Sequence, residues 1–251
     1  MKERLLDLLL EEKQMHLKGG LYHKTQVNLA YHSNRIEGSR LSEEQTRCIY
    51  ETNTILSEGE EPLKIDDILE TINHFHCFDY MLEHAEENLS EDIIKEFHRL
   101  LKTNISDTKW EWFRVGDYKL RPNEVGDMAT TLPVDVPQDM EKLLTEYFSK
   151  QEIGFEDIID FHQRFESIHP FQDGNGRVGR IVLFKECLKY NITPFIIDEL
   201  HKWCYYRGLK EYQTDKGYLL ETCRSAHGEY EKMIEYFFPE QENVQVMTER
   251  W

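Results

Sequence analysis

The sequence has no uninterrupted apolar run of the length that a membrane-spanning helix requires. Its opening stretch, MKERLLDLLLEEKQM, carries charges throughout, whereas a secretory signal has an uncharged apolar centre. The five cysteines are odd in number and none belongs to a C-x-x-C pair, which argues against a disulfide framework. We therefore expect a cytoplasmic protein with free thiols.

Positive charge is also scarce. The chain has 30 lysine and arginine residues against 48 aspartate and glutamate residues, a formal net charge of −18. Such a surface repels the phosphates of nucleic acids and of anionic membranes, so we expect neither as a partner. A local group of basic residues therefore indicates a specific site, since the chain has no general positive field.

Zinc-binding spacing is missing as well. His74 with His76, and His162 with His169, fit neither an H-E-x-x-H pattern nor a mixed cysteine and histidine pattern. Scattered structural histidines explain these positions better than a metal centre.

Helical periodicity, in contrast, is present along most of the chain, as in Leu5, Leu8 and Leu9. Ser42 and Gln45 form a predicted capping box, and Ser90 is a predicted N-cap. Gly38 is a predicted helix terminator. After the opening helix, we predict helices over 22–37, 42–56, 65–86, 91–102, 138–150, 155–168, 175–190, 198–213 and 217–238.

Residues 110–137 interrupt this pattern. The segment combines prolines and glycines with short β-favouring stretches around a polar R-P-N-E, which predicts a small hairpin. The predicted fold is all-α, mostly helical, with one small β-hairpin.

Residues 169–180 read HPFQDGNGRVGR and lie between two predicted helices. The start of a helix presents free backbone N–H groups and the positive end of the helix dipole, which together bind anions. Gly174 and Gly176 would let the backbone approach a phosphate closely, where a Cβ would collide. We expect Phe171 to anchor the loop in the core.

The charged side chains of this segment suit phosphate chemistry. Arg177 and Arg180 lie three positions apart on one helix face and can grip a polyphosphate. Asp173 can hold Mg²⁺ beside those phosphates, and His169 can take a proton from a nucleophile. Each feature alone has an ordinary explanation as a structural histidine, a turn or a solvated arginine pair. Their combination indicates a phosphate-transfer site.

The segment resembles the signature of Fic-domain proteins, H-x-F-x-[D/E]-G-N-G-R-x-x-R, at every specified position. The resemblance extends over about 89–230 and implies protein AMPylation, the transfer of AMP from ATP to a serine, threonine or tyrosine hydroxyl. A branch of the family that transfers the terminal phosphate carries lysine where this chain has Gly176, which argues against kinase-like chemistry.

The resemblance also implies a role for each matched residue. His169 is the general base, and Asp173 coordinates Mg²⁺, with Mn²⁺ as an alternative. Arg177 steadies the phosphate chain, and Arg180 takes the γ-phosphate. The phosphate contacts further include Asn175 and the amides of Gly174 to Gly176, and Tyr205 and Tyr206 lie near the adenine.

A second motif, Ser33-Asn34-Arg35-Ile36-Glu37-Gly38, resembles the Fic inhibitory pattern [S/T]-x-x-x-E-[G/N]. The resemblance implies that Glu37 binds Arg180 and obstructs the productive position of the γ-phosphate, with Ser33 supporting the helix end. Without the core motif, a glutamate at a helix end would be a solvated residue.

These expectations divide the chain into three regions: an N-terminal helical region with the inhibitory helix at 1–88, a catalytic domain at 89–230, and a helix end with a polar tail at 231–251. The hairpin resembles the family's flap, which pairs with the backbone of the target. Partners would be ATP and a hydroxyl-bearing protein, with the chain itself as one candidate target. Two alternatives stay open: a nucleotide-sensing binding module, and removal of AMP or transfer of another nucleotide. The sequence leaves the oligomeric state open.

Overall fold

The computed structural model of the chain describes residues 4–56, 62–126 and 128–239. These residues form ten α-helices, one short 3₁₀ helix at Ser106–Lys109 and one two-stranded hairpin. The α-helices are α1 (Leu5–Gln14), α2 (Leu21–Ile36), α3 (Glu43–Thr52), α4 (Ile65–Glu83), α5 (Glu91–Lys102), α6 (Val136–Phe148), α7 (Phe155–Ile168), α8 (Asn175–Lys189), α9 (Lys202–Glu211) and α10 (Gly217–Phe237).

The predicted helix starts at Ser42 and Ser90 are confirmed. The Ser42 hydroxyl accepts a hydrogen bond from the Gln45 amide at 3.1 Å, and the Ser42 amide donates to Gln45 Oε1 at 3.0 Å. The Ser90 hydroxyl accepts from the Ile93 amide at 3.3 Å. Both caps satisfy backbone donors that a helix N-terminus leaves unpaired.

Three predicted helices are shorter than their patterns indicated. Helix α3 ends four residues before Leu56, because Asn53 adopts a left-handed φ of 53°. Helix α4 ends at Glu83 instead of Glu86. Helix α9 begins only at Lys202, because the Asp198 side chain accepts the His201 amide at 2.9 Å and forms a local turn in place of helix.

The hairpin is present but very short. Strand β1 (Glu124–Val125) pairs antiparallel with β2 (Met128–Ala129), with Glu124 opposite Ala129. The remainder of 110–137 is irregular up to the start of α6. A ladder of this length is not stable alone, so contacts with neighbouring residues must hold it in place.

Helix α8 is the centre of the molecule. Val178, Ile181 and Phe184 belong to the largest core cluster, which also includes Leu9 of α1 and Ile234 of α10. On another face, Leu183 and Cys187 belong to a second cluster. The start of α8, with the loop before it, is thereby held from several sides.

The predicted class, mostly helical with one small hairpin, is confirmed. Within 4–56, 62–126 and 128–239, no helix has both the length and the apolar character needed to cross a bilayer. Of the predicted tail, 231–251, helix α10 takes the part up to Phe237, and residues 240–251 lie outside the described residues.

Candidate active site

The loop between α7 and α8 carries the signature segment. His169 follows the last residue of α7 with a left-handed φ of 51°, and its amide still donates to the Phe165 carbonyl at 2.9 Å. The Asn175 side chain then fixes the loop, since its Oδ1 accepts from the Phe171 amide at 2.7 Å and its Nδ2 donates to the Phe171 carbonyl at 2.8 Å. Phe171 itself is fully buried, as expected.

Both oxygen and nitrogen of the Asn175 side chain are therefore committed to the loop. The implied phosphate contact of Asn175 is left to its backbone N–H, at the first position of α8. No side chain caps this helix start, whose N-cap residue is Gly174 with a φ of +80°. The unpaired N–H groups of the first turn are the donors that an anion needs.

Two glycines make room for charged side chains at this helix start. A Cβ on Gly174 would stand 2.8 Å from Lys102 Cε, and a Cβ on Gly176 would collide with Glu37 Oε1. The space expected for phosphate beside Gly174 is therefore bordered by the Lys102 side chain. The corresponding space at Gly176 is occupied by the Glu37 carboxylate.

Arg180 is held by α2. Its Nε donates to Ser33 Oγ at 2.9 Å, and its Nη2 donates to the Ser33 carbonyl at 3.0 Å and to Glu37 Oε1 at 2.6 Å. Arg180 is only 5% exposed. Burial alone would raise the pKa of Glu37, but the Arg180 guanidinium reverses this effect and keeps that pKa below its usual value.

Arg177 belongs to a network that the sequence did not reveal. It lies 2.6 Å from Glu70 Oε2 and 3.4 Å from Asp173 Oδ2. Lys102, which is fully buried, binds Glu70 at 2.5 Å and also binds Asp173. Glu70 of α4 and Asp173 of the loop are therefore the shared counter-charges of two buried cations, Lys102 and Arg177.

Asp173 lies at the solvent side of this network, with half of its side chain exposed. Burial of its carboxyl would raise the pKa, but the charges of Lys102 and Arg177 hold it well below the usual value. Asp173 is therefore ionised at any physiological pH. Within the described residues, no group of three or more histidine, cysteine or acidic side chains could hold a metal ion by itself.

His169 is poised as a neutral base. Its Nδ1 lies 3.3 Å from the Glu166 carbonyl, which can only accept, so Nδ1 carries the proton and Nε2 has a free lone pair. Burial, together with the positive charge of Lys119, lowers the pKa of His169 to about 4. The imidazole is consequently unprotonated at neutral pH.

A cavity of about 470 Å³ joins most of these groups. Among the predicted site residues, its walls include His169, Gly176, Arg180, Glu37, Tyr205 and Tyr206. Val125, Gly126, Ala129 and Thr130 of the hairpin form another wall. The other predicted site residues do not line this cavity; they are Asp173, Gly174 and Asn175 in the loop and helix start, Arg177 beside Glu70, and Ser33 beside Arg180.

The two tyrosines of α9 differ in their surroundings. Tyr205 is 1% exposed, and its hydroxyl lies 2.7 Å from His162 Nε2. Tyr206 donates to the Ile36 carbonyl at 3.3 Å, near the end of the helix that carries Glu37. The family resemblance implied that both tyrosines lie near the adenine. In the structure, Tyr206 also contacts the segment with the inhibitory motif.

Glu166 also lines the cavity and was missed by sequence reasoning. Burial raises its pKa to about 8, an effect that Arg180 only partly offsets. Its signal in the sequence is weak, because a glutamate on an amphipathic helix such as α7 is normally read as a solvated residue.

The comparisons with known proteins agree with this geometry. Residues 88–186 match the family model of the Fic/DOC family. The protein adenylyltransferase Fic of Nematostella vectensis is 27% identical over 190 residues, which is 72% of this chain and 42% of that protein. The protein adenylyltransferase fic-1 of Caenorhabditis elegans is 28% identical over 207 residues, 75% of this chain and 37% of that protein. The chain thus spans less than half the length of these relatives.

Solved structures show the same fold. A Fic-domain-containing signaling protein from Bacteroides thetaiotaomicron superposes with a TM-score of 0.75 at 21% identity, covering 94% of this chain and 97% of the other. Fic-1 from C. elegans, residues 134–508, superposes with a TM-score of 0.68 at 20% identity, covering 93% and 72%. The resemblance inferred from HPFQDGNGRVGR is confirmed: residues 88–186 match the family model of the Fic/DOC family, and the chain has the fold of the solved Fic-domain structures.

Proposed function

We propose that the protein is a protein adenylyltransferase that moves AMP from ATP to a serine, threonine or tyrosine hydroxyl of a protein, itself included. The observation that carries the proposal is the shared cavity: an unprotonated imidazole on one wall, and Gly176 and Arg180 at an uncapped helix start on another. The names of the relatives, protein adenylyltransferases, support it.

The chemistry follows from the residues on that wall. His169 Nε2 would accept the proton of the target hydroxyl while the hydroxyl oxygen bonds to the α-phosphorus of ATP. The bond from that phosphorus to the bridging oxygen breaks, and pyrophosphate leaves. Backbone N–H groups at the start of α8 and the Arg177 and Arg180 guanidiniums would stabilise the phosphate charge.

Asp173 fits a divalent cation that is shared with the substrate. Mg²⁺ prefers one or two carboxylates together with phosphate oxygens, and Asp173 offers one ionised, half-exposed carboxylate at the mouth of the loop. We propose Mg²⁺, with Mn²⁺ as a substitute, as the ion held there. When bound, it would neutralise phosphate charge.

Glu37 would act as a brake on this activity. Its carboxylate occupies Arg180 and the space at Gly176, both of which the triphosphate needs. Opposite charges about 4 Å apart attract by roughly 4 kcal/mol at an effective dielectric near 20, before desolvation. The γ-phosphate competes for the same guanidinium, so the brake would be strong but reversible.

This brake gives two of the three predicted regions their roles. Region 1–88 would restrain, and region 89–230 would catalyse. We also propose that this AMP transfer takes place in the cytoplasm.

Labelled ATP tests the proposed function. Incubation of the Glu37→Gly variant with ATP labelled at the α-phosphate should label protein, whereas label at the γ-phosphate should not be transferred. Mass spectrometry should find one added AMP per modified hydroxyl. Transfer of γ-label would indicate a kinase, and nucleotide binding with neither label transferred would indicate a binding module.

Removal of AMP from a modified protein is the second candidate. One observation favours it: the Glu37 carboxylate and His169 line the same cavity, so the carboxylate could orient a water for attack on an AMP-modified side chain. Incubation of the wild type with an AMP-modified protein, followed by release of AMP, would distinguish this activity from forward transfer.

A further inference from the structure

We propose that Lys119 is a positioning residue that binds the hairpin to the His169 loop. It thereby fixes the position of His169, the proposed base, relative to the hairpin edge that would pair with the target. This inference rests on the proposed function, and it assigns Lys119 a part that neither the signature segment nor the inhibitory motif includes.

The Lys119 ammonium is almost completely enclosed. Its side chain is 2% exposed, and its Nζ donates to Asn123 Oδ1 at 2.7 Å, to Thr130 Oγ1 at 2.7 Å and to the Ile168 carbonyl at 3.3 Å. Among the described residues, no carboxylate lies within ion-pair distance of it, so three neutral oxygens hold the charge. We call these four groups the Lys119 clasp.

A buried ammonium without a carboxylate partner is costly and needs a reason. Burial lowers the pKa of Lys119 to about 8, so the group still carries its charge at pH 7. A neutral side chain could fill the same volume at lower cost. The ammonium has three N–H donors, and they bind oxygens in three separate chain segments. We explain the buried charge by the joining of these segments.

Those three segments are the approach to β1, the residue after β2, and the end of α7. Asn123 immediately precedes β1, Thr130 immediately follows β2, and Ile168 precedes His169. Because each strand has only two residues, the backbone ladder alone cannot set the position of the hairpin. The Lys119 clasp ties both ends of the hairpin to the residue before the base.

Further hydrogen bonds join the same segment to the loop. The Lys119 amide donates to the Pro170 carbonyl at 2.9 Å, and Asn123 Nδ2 donates to the Phe171 carbonyl at 2.9 Å. The Arg121 amide donates to Gln172 Oε1 at 3.3 Å. Residues 119–123 thus run alongside residues 168–172, with the ammonium at the end that holds His169.

The clasp has an electrostatic consequence for the base. The charged groups that face His169 are Lys119 beside the hairpin, Glu37 at the end of α2 and Asp173 in the loop, and only Lys119 favours the neutral imidazole. A target strand paired with the hairpin would then meet an unprotonated base at a fixed distance. Misplacement by about 1 Å can cost about a hundredfold in rate.

The test uses the full chain in the Glu37→Gly background, with Lys119→Met as the variant and Lys142→Met as the matched control. Lys142 lies on α6 with 67% of its side chain exposed. In Lys119→Met, kcat for AMP transfer should fall by about 10- to 100-fold while KM for ATP changes less than about twofold. Lys142→Met should match its parent. An unchanged kcat in Lys119→Met would overturn the proposal.

Two readouts do not need activity. Titration of His169 by NMR should give a higher imidazole pKa in Lys119→Met than in its parent, because a facing positive charge is lost. Amide exchange of residues 120–132 should become faster, while α8 stays protected. A merely space-filling lysine would leave the His169 titration unchanged, and that result would contradict the inference.

A second variant covers a failure of Lys119→Met to fold. Asn123→Ala keeps the ammonium but removes one of its acceptors and the bond to the Phe171 carbonyl, so it should lower kcat and speed amide exchange to a smaller extent while the pKa of His169 stays close to that of the parent. If the Glu37→Gly parent transfers no AMP at all, the proposed function fails, and the imidazole titration and amide exchange still decide the role of Lys119.

Discussion

Glu37 and Arg180 lie 143 positions apart in the sequence, and their side chains meet at 2.6 Å in the wall of the cavity. Arg180 also has both Ser33 oxygens as acceptors. Nε and Nη2 of the guanidinium that the proposed function assigns to the triphosphate are thus both bound by the end of α2. On that proposal, a nucleotide that binds productively displaces the Glu37 carboxylate, whose side chain is 26% exposed.

Replacing Glu37 with glycine should raise AMP transfer by about tenfold or more, because each 1.4 kcal/mol of lost competition is worth a factor of about ten. The rate of α-label incorporation from ATP measures this effect. Glu229→Gln removes an exposed carboxylate of α10 and should behave as wild type. Equal incorporation by wild type and Glu37→Gly would contradict the proposed brake.

Ser33→Ala should release the brake only in part. The variant loses the hydroxyl that accepts from Arg180 Nε, but the backbone carbonyl and Glu37 remain. Loss of one hydrogen bond worth about 1 kcal/mol should raise transfer roughly three- to tenfold. The same labelling assay should rank it between wild type and Glu37→Gly, with Ser149→Ala as a surface control; a rate above that of Glu37→Gly would speak against this arrangement.

His169→Ala should abolish transfer and leave ATP binding intact, because the imidazole is assigned to the proton and not to the phosphates. The measurement pairs α-label incorporation with calorimetric titration of ATP, both in the Glu37→Gly background. His76→Ala, an exposed histidine of α4, is the control. Residual transfer above about one-hundredth of the parent rate would mean that another group takes the proton.

The pH dependence should reflect the depressed pKa of His169. The base works in its neutral form, which persists down to the folded-state pKa of about 4. Transfer by Glu37→Gly should therefore stay nearly constant between pH 7 and about pH 5 and fall at lower pH, as the imidazole gains its proton. An acid limb centred at the ordinary histidine value of about 6.5 would show that burial and Lys119 do not act as described.

Glu70→Gln should destabilise the protein. The substitution removes one of the two carboxylates that the buried Lys102 and Arg177 share and leaves only Asp173, and breaking a buried ion pair typically costs about 3 kcal/mol or more in the free energy of unfolding. Urea denaturation of the variant and of Glu96→Gln, which loses only a surface pair with Arg99, measures the difference. A loss no larger than that of the control would show that Asp173 alone neutralises both cations.

Local signals in the sequence predicted most of the fold. Periodic apolar residues and caps such as Ser42 identified the helices, because these features act within a few residues of chain. The hairpin was predicted over a longer segment than it occupies, since its position depends on side-chain bonds to the loop. Helix ends at Asn53 and Lys202 were missed because single side chains or backbone angles decide them.

The site residues likewise comprise some that local motifs predicted and some that only the structure reveals. The contiguous segment 169–180 and the end of α2 were visible as motifs, and the structure brings Glu37 and Arg180 into contact. Lys102, Glu70 and Lys119 carry no local pattern. Lys102 lies 32 positions from Glu70 and 71 from Asp173, and Lys119 lies 49 positions from Ile168, so only the packing of α4, α5 and the hairpin against the loop reveals these contacts. The catalytic and inhibitory roles remain predictions.

The position of Glu70 has a consequence for how gene recombination could transfer this domain. This residue lies in α4, upstream of the segment 88–186 that matches the family model, yet it pairs with Arg177 of the signature segment at 2.6 Å. A gene fragment limited to 88–186 would encode two buried cations with Asp173 as their one remaining carboxylate partner. Recombination that moves this module between proteins would therefore favour junctions upstream of α4, which keep the second carboxylate.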